Sequence, residues 1–142
     1  MALNPRLTDW RSQRDSGSPS FTRRASPEKT LEIFANGVRS YGSWRTLVFL
    51  DEGDYQLTGR IKLIDPQYSQ SLTNAGATLR ISGERQAKML TEARDWTPFT
   101  CDFTITGQLD VELVCEFRAA GGRALFDAAS LRLLQKPRAK KE

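Results

Sequence analysis

The feature that most constrains this chain is a strict two-residue alternation toward its C-terminal end. Phe99, Cys101, Phe103 and Ile105 alternate with Thr100, Asp102, Thr104 and Thr106. After Gly107-Gln108, a second apolar row of Val111, Leu113, Cys115 and Phe117 is set against Glu112, Val114 and Glu116. After Gly121-Gly122, a last run extends from Ala124 to Leu134. Successive side chains of a strand point to opposite faces, so each run buries one face and wets the other. Amphipathic strands joined by short turns make an antiparallel sheet that must cover its apolar face with a second layer.

The same period runs upstream. Leu31 and Ile33 share a face in Thr30–Phe34 before Asn36-Gly37 punctuates the chain, and Trp44–Leu50 is rich in β-formers. Asp51–Asp54 has turn composition. From Tyr55 to Ile64, residues Tyr55, Leu57, Gly59, Ile61 and Leu63 point one way and Gln56, Thr58, Arg60 and Lys62 the other. A loop, 65–76, then leads to a strand at 77–82 with Leu79 and Ile81 inward. Residues 84–94 have helix propensity, and two short strands joined by a turn are the competing expectation. No strand-helix-strand spacing occurs, so a parallel sheet is not expected. The chain thus reads as all-β: a two-layer antiparallel β-sandwich over 29–135. An irregular, Pro/Ser-rich N-terminal arm (1–28), pinned by Trp10, precedes it, and a short charged tail (136–142) follows.

Composition narrows the chemistry. Among 142 residues there is no histidine, which removes the commonest general base and zinc ligand. Glu112 and Glu116 invite comparison with a glycosidase pair, but four residues along a strand span about 13 Å. Glycosidase carboxylates stand about 5 Å apart in retaining enzymes and about 6.5–9.5 Å apart in inverting ones. Catalysis is therefore not expected. Cys101 and Cys115 fall on inward rows and read as buried free thiols. The formal charge of +4 divides into +4 over residues 1–50, −3 over 51–135 and +3 over 136–142. Both ends are basic. A tail-driven polyanion contact is a minor expectation, and nucleic acid is not the expected partner. No apolar run approaches the ~18 residues that span a bilayer. The first residues lack the apolar stretch of a signal peptide, which leaves a cytoplasmic protein or a processed extracellular domain.

Several segments, taken in order, resemble carbohydrate-binding modules of the galactose-binding-like jelly-roll superfamily. They are Ser43-Trp44-Arg45, the acidic turn and Gly-x-Tyr-x-Leu-x-Gly-Arg of 51–60, Trp96-Thr97-Pro98-Phe99, Asp110–Leu113, and the closing Ala124–Leu131. The resemblance spans about residues 30–134. It implies a jelly roll and a non-catalytic accessory domain that holds glycan on a concave sheet face. In related modules an opening Glu and a closing Asp hold a structural calcium. Here the opening Glu is missing and only Asp127 remains of the closing pair, so calcium is a weak expectation at Asp127 and no other cofactor is expected.

Sugar recognition needs an aromatic plate beside planar polar groups. Tyr41 and Trp44 beside Gly42, and Tyr68 in the 65–76 loop, are the expected exposed aromatics. Arg60, Arg80 and Glu112 on outward rows are the expected hydrogen-bonding partners, against the plainer alternative of a solvated face with cross-strand ion pairs. Trp96 is expected to cap the core, and Tyr55 to lie in it. A second functional expectation is a structural or protein-interaction sandwich that reaches a neighbouring subunit through its arm.

Overall fold

The structure, a computed structural model, describes residues 9–25, 29–70, 74–83 and 88–137. Eight strands follow in chain order: β1 (Arg11–Ser16), β2 (Ser20–Arg24), β3 (Thr30–Leu50), β4 (Gly53–Gln67), β5 (Gly76–Ile81), β6 (Thr97–Ile105), β7 (Leu109–Asp127) and β8 (Arg132–Lys136). A 3₁₀ turn, Ala128–Ser130, joins β7 to β8. All pairings are antiparallel. Among the described residues no helix is long and apolar enough to cross a membrane.

The two long strands organise the molecule. β3 pairs with β7 along almost its whole length, from Thr30↔Asp127 to Leu50↔Leu109. On its other edge β7 serves two partners in succession, β5 against 113–118 and the C-terminal half of β4 against 121–126. The N-terminal half of β4 turns away to pair with β6 and β8. The sheet therefore curls over itself. β1, β3, β7 and β5 form a front layer, and β6, β4 and β8 form the back. Gly59 shows how close the layers come: a Cβ there would meet Leu131 at 2.6 Å and Leu79 of β5 at 3.4 Å. A side chain there would require Leu131 to move, which favours glycine in an otherwise apolar row.

The inward rows read from the alternation are the core. Leu57, Ile61, Leu113, Cys115 and Phe117 are fully buried, joined by Tyr55, Leu63, Phe103 and Val111. Tyr55 stacks on Phe103 with centroids 5.7 Å apart and donates its hydroxyl to the Asp51 carbonyl at 2.8 Å. Trp10 is also buried in this core, so the arm is pinned as expected.

Three local expectations are corrected. The described part of the arm is not irregular, because residues 11–16 and 20–24 are strands that pair with β3 and satisfy an edge otherwise left open. Asn36-Gly37 and Gly121-Gly122 do not end strands. At Asn36 the chain bulges, setting residues 37–39 against Ala120 alone, and β3 and β7 continue through. In the 84–94 segment, residues 88–94 contain no helix; Leu90 bridges Ala77, and residues 84–87 lie outside the described residues. Cys101 and Cys115 are free thiols, Cys115 buried and Cys101 half-buried. Lys136 of the expected tail closes β8, and 138–142 are outside the described residues.

Candidate functional site

Register aligns the outward side chains of the front layer into cross-strand rows. Arg11, Arg45, Val114 and Arg80 form one, Gln13, Ser43, Glu116 and Thr78 the next, and Ser16, Tyr41, Arg118 and Gly76 the third. Toward the other end, Leu47 lies beside Glu112 and Phe49 beside Asp110. Residues facing away from the core are usually wet, yet Ser43, Thr78 and Val114 are fully buried here. Ser43 and Val114 lie among charged side chains bonded to one another across the sheet, and Thr78 donates its hydroxyl to the Lys88 carbonyl at 2.6 Å.

This charged network has two centres. Arg45 donates Nη1 to Glu112 Oε1 at 2.7 Å, Nε to Ser43 Oγ at 2.8 Å and Nη2 to Asp15 Oδ1 at 3.3 Å. Glu116 lies between two arginines: Arg80 donates Nε to its Oε1 at 3.0 Å, and Arg118 donates Nε to its Oε2 at 2.7 Å. Arg118 also lies over the Tyr41 ring, 4.8 Å from the centroid. The thrifty packing of guanidinium planes leaves a flat, polar floor with an aromatic residue in it. Such a surface can donate to and accept from a row of hydroxyls.

Of the expected site residues, Tyr41, Arg80 and Glu112 come together on this face. Trp44 does not. At 5% exposure it is a core residue, with Phe21 of β2 edge-on to its ring at 5.7 Å and Nε1 donating to the Glu32 carbonyl at 3.2 Å. Its neighbour Gly42 offers no opening, because the space beyond it is filled by Phe21 and Ile33. Arg60 is on β4, away from the front layer. It bonds Asp127 through Nε at 3.0 Å and lies over Trp96, 5.8 Å from the ring centroid. Trp96 is accordingly half-exposed rather than a full cap on the core. Tyr68 is also elsewhere, in a hollow lined by Leu63, Ile64, Pro66, Glu92 and Arg94. It donates its hydroxyl to the Thr91 carbonyl at 2.9 Å. Burial, and secondarily the charge of Glu92, pushes its pKa up to about 12.

Sequence reasoning missed Arg45 and Arg118. Both were within reach of it, because continuing the outward row one step past Glu116 arrives at Arg118. Arg45 alternates with the same period from Tyr41 and Ser43.

Asp127 bears on the expected calcium. Its buried carboxylate carries the Arg60 guanidinium, and Ser130 Oγ donates to its backbone carbonyl at 2.8 Å. Among the described residues, no three His, Cys, Asp or Glu side chains gather where they could hold a metal ion. A lone carboxylate already holding an arginine does not fit a shell of six to eight oxygens.

By sequence, no protein-family profile and no curated protein matches the chain. By structure it is similar to carbohydrate-binding modules. A CBM4 module superimposes with a TM-score of 0.60 at 13% identity, over 95% of this chain and 94% of that one. The xylan-binding module CBM15 does so at 0.59 and 14%, over 98% and 99%. The enzymatically active domain of tailspike protein 4 from bacteriophage CBA120 gives 0.64 at 8% identity; this chain covers 92% of itself but only 20% of that one. Likeness at such identities establishes the fold alone, a β-sandwich jelly roll.

Proposed function

We propose that this domain is a non-catalytic carbohydrate-binding module, an accessory domain holding glycan on the outward face of β1, β3, β7 and β5. One observation carries the reading: Tyr41, Arg45, Arg80, Glu112, Glu116 and Arg118 share one sheet face, the charged groups hydrogen-bonded to one another and Arg118 over the Tyr41 ring. The planar donors and acceptors are already oriented, so binding sugar hydroxyls would cost little side-chain entropy. A structural neighbour named as a xylan-binding module aligns over nearly the whole of this chain, which supports the same assignment. Both outward glutamates, Glu112 and Glu116, are engaged by arginines as parts of this floor, which supports binding over hydrolysis. In this reading Arg60 takes the place that calcium has in related modules.

A glycan array followed by isothermal calorimetry on the purified chain tests this. Binding to an oligosaccharide, with no reducing ends released on prolonged incubation, is expected. Absence of binding across plant, bacterial and animal polysaccharides would overturn the assignment and return the protein-interaction alternative.

A further inference from the structure

The front face is electrically polarised, and we infer that its Tyr41 end is a subsite for an acidic group on the glycan, the carboxylate of a uronic acid. The inference rests on the carbohydrate reading and names the class of sugar it would take.

Around Tyr41 three arginines, Arg39, Arg80 and Arg118, meet two carboxylates, Glu116 and Asp15, an excess of one positive charge. At the far end Asp110 and Glu112 lie beside the apolar Leu47, Phe49 and Leu109, with Phe49 63% exposed. Tyr41 and Phe49 are eight residues apart on one strand, about 26 Å at ~3.3 Å per residue. The Debye length at physiological salt is ~8 Å, so the acidic end does not mask the basic one. An approaching ligand meets two distinct fields on one floor.

The donors at the basic end are partly spoken for, in a way that leaves the useful ones open. Arg118 gives Nε to Glu116 and lays its plane against Tyr41, which fixes the guanidinium. No described residue bonds its two terminal nitrogens. A guanidinium held by one edge and one face presents a fork of N–H donors matched to a carboxylate. Arg39 is exposed in the β3 bulge two residues before Tyr41 and makes no ion pair among the described residues. Bulges re-aim side chains at the margins of sites, and this one brings a second cation to the same end. Glu116 offsets one of these charges from below, but its oxygens are already engaged by Arg80 and Arg118, so it does not occupy the outer N–H donors.

The test uses the whole chain and a panel of uronic-acid polysaccharides: polygalacturonate, alginate and glucuronoxylan. Each is paired with its carboxyl-reduced form, which keeps the backbone and removes the charge. The acidic form of at least one pair is expected to bind roughly tenfold more tightly at 50 mM salt, with the ratio shrinking toward one at 500 mM. Arg118→Gln and Arg39→Gln are each expected to reduce the ratio. Arg39→Gln guards against misfolding, because that side chain is solvent-exposed. Equal affinity within every pair, or a ratio that survives both variants, overturns the subsite while glycan binding to the reduced forms leaves the wider reading standing. No binding to either form of any pair, nor to neutral glycans, overturns both. Equal competition by single-stranded DNA of matched charge would show a general polyanion patch and would also overturn the subsite.

Discussion

Arg60 of β4 donates Nε to the buried carboxylate of Asp127 at 3.0 Å, tying the back layer to the end of β7 just before the 3₁₀ turn. The same arginine donates its backbone N–H to Ser130 Oγ at 2.9 Å, which in turn bonds the Asp127 carbonyl. A positive charge supplied by the chain thus neutralises a carboxylate that burial would otherwise penalise.

Arg60→Ala is expected to lower the unfolding free energy by about 1–2 kcal/mol, less than for a fully buried pair because the arginine is half-exposed. Neither calcium chloride nor EDTA is expected to move the wild-type melting temperature by more than about 1 °C, since a ligand stabilises only what it binds. Differential scanning fluorimetry reads both. A rise of several degrees with millimolar calcium would contradict the proposed substitution of arginine for metal.

Trp44 was one of three aromatics expected at the surface, and its burial under Phe21 changes that expectation. Trp44→Ala should cost about 3–5 kcal/mol, as large-to-small changes in cores do. Trp44→Phe should cost less, losing chiefly the hydrogen bond to the Glu32 carbonyl. Urea denaturation followed by tryptophan fluorescence or circular dichroism measures both. A stable Trp44→Ala protein would place the indole at the surface instead.

Tyr41→Ala is the complementary substitution. The ring is partly exposed beside Arg118, so its loss should lower stability by under about 1 kcal/mol. Glycan affinity should fall about tenfold, in line with an aromatic contact of about 1.4 kcal/mol. Calorimetry with a glycan found on the array decides it; unchanged affinity would remove Tyr41 from the binding floor.

Tyr68 makes a pH prediction. Its folded pKa of about 12 lies above the ordinary value of 10.0, chiefly through burial. The folded state therefore prefers the neutral phenol. The resulting stability is fully present below pH 10 and is lost as pH rises from 10 toward 12. Tyr55 is shifted upward too, by burial and then by Asp51. Titration of the three tyrosines by ultraviolet absorbance should show a late phase, and Tyr68→Phe should shrink it. A single phase centred near pH 10 would refute the shift.

Much of the fold was legible from one-dimensional pattern, for a physical reason. Apolar burial acts on each residue separately, so the period of a strand is written in its own side chains. Tyr55, Leu57, Ile61, Phe103, Val111, Leu113 and Phe117 were placed inward by alternation and are buried. β1 carried no such signal: Arg11–Ser16 is polar and exposed throughout, and it is a strand only because β3 offers it an edge. The bulge after Asn36 and the continuous strand through Gly121-Gly122 read as ends because glycine marks turns and bulges alike.

The candidate site was half legible. Outward parity located Arg80 and Glu112, and the place beside Gly42 suggested Tyr41, but parity alone could not assign Arg60 and Arg80 to different layers. That assignment is made where β4 leaves β7 and turns to β6 and β8, a matter of pairing between distant segments. Nor could it bury Trp44, whose cover comes from Phe21, twenty-three residues upstream. The sequence by itself determined which residues face the core, because that depends on each side chain's own affinity for water. Only the tertiary structure decided which outward residues share a floor, because that depends on strand order and register, which are set by long-range pairing.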